Sequence, residues 1–257
     1  MEKSFDERIK HLNDILSKSK RIIFFGGAGV STGSGIPDFR SNNGLYKNVD
    51  NEFTKYSPEY YLSKDCFNHN PKLFYAFYKK YMDCRNYEPN ICHLKLAELE
   101  QKGKLTGIIT QNIDTLHEKA GSKKIFKIHG TVDKNTCIKC KKEFDINYIF
   151  DSKDTIVKCD CGKEYNLVKP NVVLYGENLP TEATNNALEI LCEAEEDDCL
   201  IIAGTSLTVS PANTYVSMFR GKNLIIINRD TTPFDSYATI LFREDIIDVF
   251  KNINVNK

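Results

Sequence analysis

The 257-residue sequence predicts an α/β fold, a doubly wound, mostly parallel sheet of the Rossmann-like type with a helical insertion and a small cysteine-bearing module. Three observations lead to this prediction. Short apolar runs alternate with helical patterns, as expected of βαβ units. The first apolar run leads directly into a glycine turn, which is common in open parallel sheets. The alternation breaks down twice, at residues 42–90 and 131–169.

The individual elements follow from the spacing of apolar residues. An amphipathic helix comes first, with apolar residues at helical intervals: Phe5, Ile9, Leu12, Ile15 and Leu16. Continuous apolar runs predict buried parallel strands at residues 22–25, 105–110, 125–129, 172–175, 200–204 and 224–228. Helices are predicted at residues 71–82, 90–102, 181–194 and 211–220. The Rossmann-like domain is therefore predicted to comprise residues 1–41, 91–130 and 170–257, with residues 42–90 as a mostly helical insertion that covers its cleft.

Composition excludes several classes of protein. Lys and Arg together number 35, as do Asp and Glu, so the zero net charge gives no strong signal of nucleic-acid binding. No apolar run approaches the roughly 20 residues that a membrane span needs. Since no export signal is found, the expected location is cytoplasmic, a reducing compartment. The nine cysteines are therefore interpreted as thiols, and their clusters as metal sites before disulfides.

Four of these cysteines lie in residues 131–169, a lysine-rich segment with too few apolar residues to form its own core. They form two close pairs, Cys137-x2-Cys140 and Cys159-x-Cys161, separated by 18 residues. Four thiolates can surround a tetrahedral Zn²⁺ and replace the missing core. The segment is predicted to be a zinc-binding module, with free or redox-active thiols as the alternative. Because four Cys ligands leave no open position for water, the predicted role is structural.

The glycine turn after the first strand runs Gly26-Gly27-Ala28-Gly29-Val30-Ser31. Glycine backbone at the end of a parallel strand can approach a phosphate without a Cβ in the way, so a nucleotide site is predicted. It is not a dehydrogenase fingerprint, because Gly33 comes one residue too late, nor a P-loop, because no Gly-Lys-Ser/Thr follows. A glycine turn without a ligand is the alternative. Pro37-Asp38-Phe39-Arg40 follows the turn.

Polar residues follow other strands at the same edge of the predicted sheet. Thr110-Gln111-Asn112-Ile113-Asp114 comes after the second strand, and His129-Gly130 ends the third. Parallel strands place their carboxyl ends together, so these side chains should share one crevice with the glycine turn. A helix N-cap at Asn112 or Asp114 is the alternative, but it explains only one of them. Gly204-Thr205-Ser206 and Asn228 end later strands in the same way.

Taken together, these motifs resemble the sirtuins, the NAD-dependent protein-lysine deacylases. GAGVS with GIPDFR, TQNID, HG, the paired cysteines, KPNVVLYGE, GTSLTVSP and the strand-end Asn228 occur in sirtuin order. The resemblance covers roughly residues 21–250 and is closest to the compact prokaryotic-style form. Several motifs in one order are far more specific than any single one.

The resemblance implies a reaction in which NAD and an acyl-lysine peptide give nicotinamide, deacylated lysine and O-acyl-ADP-ribose. His129 would be the general base that activates a ribose hydroxyl, and Asn112 and Asp114 would orient the nicotinamide ribose and amide. Phe39 would shield the intermediate from water. The implied NAD-binding residues are Gly27, Ala28, Gly29, Ser31, Thr32, Asp38, Phe39, Arg40, Gln111, Asn112, Ile113, Asp114, His129, Gly204, Thr205, Ser206, Asn228 and Asp245.

For the substrate, the resemblance implies a peptide added as a β-strand between two segments of the chain. The implied groove residues are Val173, Leu174, Tyr175, Gly176, Leu207 and Val209. Two positions depart from the family, since Tyr175 stands where Phe is usual and Lys169 where Arg is usual. Sirtuins that prefer succinyl- or malonyl-lysine carry Tyr-x-x-Arg in the helix lining the acyl pocket. Here the matching pair is Tyr75 and Tyr78, which favours neutral acyl groups.

Two other functions remain open at this point. A sirtuin-like ADP-ribosyltransferase would use the same NAD site but pass ADP-ribose to a protein. A non-catalytic module that binds NAD or acyl-peptides is the second alternative, although Asn112, Asp114 and His129 are all present. The sequence identifies neither the protein substrate nor the oligomeric state.

Overall fold

The computed structural model describes residues 3–41 and 44–254, and its main sheet has six strands, all paired in parallel. In chain order the strands are β1 (Ile22–Gly26), β2 (Leu105–Thr110), β3 (Ile125–Lys127), β4 (Gly130–Cys137), β5 (Glu143–Asp145), β6 (Val168–Val172), β7 (Cys199–Ala203), β8 (Asn223–Ile227) and β9 (Ile240–Phe242). The main sheet has the order β3-β2-β1-β7-β8-β9. The predicted fold class is confirmed.

The helices alternate with the strands of this sheet and fill the first insertion. They are α1 (Phe5–Lys18), α2 (Pro58–Tyr61), α3 (Lys64–His69), α4 (Pro71–Tyr81), α5 (Ile91–Gln101), α6 (Leu116–Lys119), α7 (Asn147–Phe150), α8 (Thr181–Cys192), α9 (Ala212–Tyr215) and α10 (Ile246–Lys251). Short 3₁₀ turns occur at Ala28–Val30, Thr32–Ser34, Leu45–Lys47, Asn51–Phe53, Val216–Met218 and Asp235–Tyr237. Among the described residues, no helix is both long and apolar enough to cross a bilayer.

Alternating residues of each strand enter two separate cores, one on each face of the main sheet. In β1, Ile22 and Phe24 pack with α1, α5 and α10, whereas Ile23 and Phe25 pack with α8. This is the period-2 arrangement expected when both faces of a sheet are covered. Because β2 and β7 lie on opposite sides of β1, the chain reverses its direction of winding there, and the crevice at the carboxyl ends of β1 and β7 is the switch point.

A second, three-stranded sheet with the order β5-β4-β6 lies in the cysteine-bearing module. Its residues share one apolar core with the helical insertion, since Phe74 and Tyr78 of α4 belong to the same cluster as Cys137 and Val168. The predicted boundaries of the Rossmann-like domain, the helical insertion and the zinc-binding module stay a prediction. The shared core leads us to propose that the two insertions together form one lobe beside the Rossmann-like sheet, which we term the second lobe.

Two predicted strands need correction. The apolar run at residues 172–175 is not a strand of the parallel sheet, because β6 ends at Val172 and pairs antiparallel with β4. Beyond it, Tyr175 forms an isolated bridge to Ser63. The strand predicted at residues 125–129 ends at Lys127, so His129 lies beyond it in the turn before Gly130. Burial makes such runs apolar whether they are parallel, antiparallel or irregular, so the pattern alone cannot separate these cases.

Candidate active site

The glycine turns after β1 and β7 meet backbone to backbone at the switch point. The N–H of Gly29 donates to the C=O of Gly204 at 2.9 Å. A Cβ on Gly29 would lie 2.7 Å from the Gly204 Cα, and Gly204 itself has φ +60°. Only glycine fits both positions. The two turns therefore form the floor of the crevice and expose backbone there.

Above this floor lies a cleft of about 440 Å³. Most of the predicted NAD-binding residues line it: Ala28, Gly29, Thr32, Asp38, Phe39, Arg40, Gln111, Asn112, Ile113, His129, Gly204, Thr205, Ser206, Asn228 and Asp245. Ser31 and Asp114 instead line a smaller adjoining cavity of about 70 Å³, which shares Ala28 and Phe39 with the cleft. Gly27 lines neither of these cavities and packs behind the floor, where a Cβ would lie 2.7 Å from that of Thr205.

The predicted substrate residues divide in the same way. Val173, Leu174, Tyr175, Gly176, Val209 and Tyr78 line the cleft. Leu207 does not, because it is fully buried in the core beneath α8. Tyr75 does not either, since its hydroxyl donates to the Val168 C=O at 2.8 Å in the apolar core that α4 shares with the cysteine-bearing module. Residues one turn apart on α4 thus face different surroundings, and the predicted pair is separated.

Several lining residues were not predicted. Tyr46, Leu62 and Met82 come from the helical insertion, and Arg229 and Asp230 follow β8. The insertion was expected to cover the cleft, but its aromatic-rich sequence gives no sign of which rings would face inward. Arg229 and Asp230 had a usable signal, because they directly follow Asn228 at a strand end.

A buried chain of hydrogen bonds connects the turn after β1 to the segment after β2. The Asn112 amide donates to Ser31 Oγ at 3.0 Å, and that hydroxyl donates to Asp114 Oδ2 at 2.8 Å. The other Asp114 oxygen accepts from the N–H of Leu116, the first residue of α6, at 3.0 Å, although the N-cap position itself is Thr115. All three side chains of the chain are less than 9% exposed. Their mutual bonding fixes these groups before any ligand arrives.

His129 is held in one tautomer at the edge of the cleft. Its Nδ1 lies 3.1 Å from the C=O of Gln111, and a carbonyl only accepts, so Nδ1 carries the proton. Burial lowers the pKa of His129 below its ordinary 6.5, the Gln111 contact opposes this, and the nearby Arg40 cation lowers it further. At neutral pH the ring is therefore uncharged, and Nε2 has a free lone pair to accept a proton.

Gln111 is positioned by the turn after β7. Its Oε1 accepts from Thr205 Oγ1 at 2.8 Å. Its Nε2 is buried and has no hydrogen-bond partner among the described residues. An unsatisfied buried donor is costly, so a ligand with an acceptor oxygen at this point would be favoured. The ribose hydroxyls of NAD offer such an oxygen, and the exposed glycine backbone suits its pyrophosphate, so the residues fit this cofactor.

The four predicted metal ligands come together in the cysteine-bearing module. The Sγ atoms of Cys137, Cys140, Cys159 and Cys161 all lie within 4.8 Å of one another. The distances are 4.0 Å from Cys137 to Cys161 and 3.6 Å from Cys140 to Cys159. A tetrahedral zinc with Zn–S bonds near 2.3 Å needs sulfur atoms about 3.8 Å apart. The donor set therefore fits zinc, and four thiolates would leave no coordination position for a water molecule.

Two buried histidines lie behind the hydrogen-bonded chain. The rings of His93 and His117 are 4.7 Å apart, and burial lowers the pKa of both below 6.5. His93 occupies the third position of α5 and accepts from the Asn90 N–H at 3.2 Å. Its pKa falls to about 4. Between that value and 6.5, the unfolded chain binds a proton that the folded protein excludes.

We therefore expect the free energy of unfolding to keep the whole contribution of His93 above pH 6.5. As the pH falls from 6.5 towards 4, this contribution is lost, and the free energy of unfolding decreases by on the order of 3 kcal/mol from His93 alone. Denaturant unfolding of the wild type and His93→Gln at several pH values checks this. Glutamine keeps the acceptor at this capping position without titrating. An equal pH dependence in both proteins would contradict the expectation.

Comparisons with known proteins agree with this geometry. Residues 27–211 match the Sir2 family. A Clostridium tetani protein named NAD-dependent protein deacetylase is 47% identical over 238 residues, covering 92% of this chain and 93% of its own length. The protein of the same name from Clostridium acetobutylicum is 44% identical and covers 96% and 98%.

Solved structures match over nearly the whole chain. A Sir2 protein bound to acetylated peptide has a TM-score of 0.83 at 34% identity, covering 95% of both chains. A complex described as Sir2, p53 peptide and NAD⁺ has a TM-score of 0.81 at 35% identity, again covering 95% of both chains. The cleft residues, the cysteine cluster and these similarities lead to the same conclusion: the chain belongs to the Sir2 family.

Proposed function

We propose that this protein is an NAD-dependent protein-lysine deacylase that gives nicotinamide, deacylated lysine and O-acyl-ADP-ribose. The observation that carries the proposal is His129, a neutral imidazole with its proton fixed on Nδ1, at the edge of the same cleft as the two glycine turns. A binding module has no need of a base oriented in this way. The names of the relatives, NAD-dependent protein deacetylase, point to the same activity.

NAD would be held by the loops around the switch point. The turns at Gly29 and Gly204 offer backbone to the pyrophosphate, and Gln111 Nε2 offers a donor to a ribose hydroxyl. Asn228 and Asp245, at the far side of the cleft, would hold the adenosine end. The bound NAD supplies an electrophilic ribose carbon whose leaving group is nicotinamide. The smaller cavity beside Ser31 and Asp114 is the proposed place for the nicotinamide ring.

The protein's own residues then have separate tasks. His129 Nε2 would take the proton of a ribose hydroxyl, while its Nδ1–H stays on the Gln111 carbonyl. Asn112 and Asp114, already ordered through Ser31, would orient the ribose and the nicotinamide amide without further reorganisation. Phe39 lines both cavities and would exclude water from the reacting carbon.

The peptide groove is proposed to run between residues 173–176 and the turn that follows β7. Val173 N donates to the His129 C=O at 2.9 Å, which places one wall of the groove directly beside the base. With Leu207 buried in the core, Ser206 and Val209 would provide the opposite wall. A peptide paired with backbone on both sides is recognised mainly through its main chain. Broad sequence tolerance is therefore proposed.

A nicotinamide-release assay tests this function. The protein is incubated with NAD and either an acetyl-lysine peptide or the same peptide unmodified. We expect nicotinamide release to depend on both NAD and the acetyl group. Nicotinamide release from NAD at the same rate with either peptide would contradict the proposed deacylase, because the acyl oxygen is the required attacking group.

The acyl pocket is proposed to accept neutral groups. Tyr78 and Met82 line the cleft, whereas the two lysines that follow Tyr78 are engaged elsewhere. Lys79 donates to the Ser152 C=O at 2.9 Å, and Lys80 pairs with Glu52 at 2.6 Å. A buried carboxylate requires a cation, and neither lysine is free to supply one.

We therefore expect Tyr78→Arg to raise the ratio of desuccinylation to deacetylation kcat/KM by at least about tenfold. The ratio is informative even if the substitution lowers stability, because it compares two substrates on one protein. Tyr75→Phe, away from the cleft, is the control and should leave the ratio unchanged. If the unmodified protein prefers succinyl-lysine over acetyl-lysine, the proposed pocket is wrong.

The cytoplasm is the proposed location. The support is chemical: the four clustered cysteines must be reduced to bind zinc, and the other cysteines of the described chain are unpaired as well. NAD is likewise an intracellular cofactor.

A further inference from the structure

Tyr175 is fixed in the wall of the cleft by its own backbone. Its N–H donates to the Leu62 C=O at 3.0 Å, and its C=O accepts from the Lys64 N–H at 2.9 Å. Two residues further on, Glu177 pairs with Lys169 at 2.9 Å, with both side chains less than a quarter exposed. Lys169, in place of the usual Arg, therefore braces the same segment. The backbone of Tyr175 is therefore held in place, and its side chain extends from a fixed position.

The Tyr175 hydroxyl reaches the loop that follows the first glycine turn. It accepts from Arg40 Nη2 at 3.2 Å and hydrogen-bonds to the Tyr46 hydroxyl at 2.9 Å. The Tyr46 ring packs against Phe39, with centroids 5.4 Å apart. Burial, with a contribution from Tyr175, raises the pKa of Tyr46, so the phenol keeps its proton. One hydroxyl thus holds Arg40 directly and Phe39 through Tyr46.

We propose that Tyr175 is a positioning residue that couples acyl-peptide binding to NAD binding. The proposal rests on the proposed function, in which residues 173–176 form a wall of the peptide groove and Phe39 and Arg40 contact NAD. A peptide strand paired with residues 173–176 would add backbone hydrogen bonds to this already braced segment and so restrain the Tyr175 side chain further. Through its hydrogen bonds to Arg40 and Tyr46, the Tyr175 hydroxyl would then also restrain the loop that follows the first glycine turn.

The coupling depends on the residue type at position 175, because it needs the tyrosine hydroxyl. Phenylalanine, usual at this position in sirtuins, would keep the ring but could make neither hydrogen bond. In Tyr175→Phe the Arg40 guanidinium loses an acceptor, and the Tyr46 hydroxyl loses its partner. The loop would then bind NAD with less help from the peptide.

The test uses ADP-ribose as a probe of the NAD site, because it binds without turnover. Its dissociation constant is measured by calorimetry with and without a saturating acetyl-lysine peptide. We expect the peptide to tighten ADP-ribose binding in the wild type, and Tyr175→Phe to reduce that enhancement about fivefold to tenfold. By thermodynamic reciprocity, ADP-ribose should tighten peptide binding in each protein by the same factor as the peptide tightens ADP-ribose binding, so this factor should also be smaller in Tyr175→Phe.

Two further variants sharpen the test. Tyr46→Phe should reduce the enhancement in the same direction, and adding it to Tyr175→Phe should have less than an additive effect, since the two hydroxyls share one bond. Tyr237→Phe, at a side chain that is 73% exposed, is the matched control and should change nothing.

The outcomes separate the coupling from the function on which it rests. An unchanged enhancement in Tyr175→Phe overturns the coupling, as does equal weakening of ADP-ribose binding with and without peptide. Both results would leave the deacylase intact. A wild-type protein that binds neither ADP-ribose nor the peptide would overturn the proposed function together with the coupling.

Discussion

His129→Ala is expected to reduce deacetylation by about 10²–10⁴-fold while NAD binding remains measurable. The reason is that the variant lacks the Nε2 lone pair that accepts a proton in the reaction, and the loss of a positioned base typically has this cost. The contact between the two glycine turns and the bond from Thr205 to the Gln111 side chain are retained, so the cofactor site persists. Single-turnover rates and NAD titration by calorimetry provide the two measurements.

The control for this prediction is His69→Ala, the same truncation at an exposed histidine of α3. It should retain wild-type turnover. In the wild type, the acid limb of kcat/KM should lie below pH 6.5, since burial lowers the pKa of His129. Residual activity of His129→Ala should show no such limb. Turnover near the wild-type rate in His129→Ala would remove this residue from the mechanism.

Loss of the bound zinc is expected to unfold the second lobe. The four cysteines hold β4 to the segment after it, and their cluster is part of the apolar core shared with α4. Metal binding to such sites is coupled to folding and is worth roughly 10 kcal/mol or more in zinc-finger peptides. We expect about one zinc per chain by elemental analysis and loss of the thermal transition in strong chelator.

Cys137→Ser should reproduce the effect of the chelator, lowering both zinc content and stability. Cys192→Ser, at the end of α8 and outside the cluster, is the matched control and should keep zinc and fold. Because Cys137→Ser acts through stability, its low activity alone would prove little about catalysis. A folded, zinc-free and fully active protein would refute the structural zinc.

The glycine turn and the polar strand ends could be predicted from sequence because local rules determine them. Gly29 and Gly204 lie where a Cβ would strike backbone, and Gln111 and Asn112 directly follow a buried strand. Parallel strands bring their carboxyl ends to one edge, so distant motifs meet without any knowledge of the loops between them.

What could not be predicted depends on tertiary packing. Tyr75 and Tyr78 lie one helical turn apart, yet Tyr75 bonds to Val168 of β6 and Tyr78 faces the cleft. Leu207 is fully buried in the core beneath α8, and a strand-end motif alone does not separate a core position from a groove position. The contact between Tyr46 and Tyr175 joins residues far apart in sequence, and periodicity carries no information about such pairs.

Product analysis by mass spectrometry tests the central claim most directly. The protein is incubated with NAD and an acetyl-lysine peptide, and all products are identified and quantified. The proposed function predicts equal amounts of deacetylated peptide, nicotinamide and O-acetyl-ADP-ribose. A peptide that keeps its acetyl group and gains ADP-ribose would contradict it and show the ADP-ribosyltransferase instead.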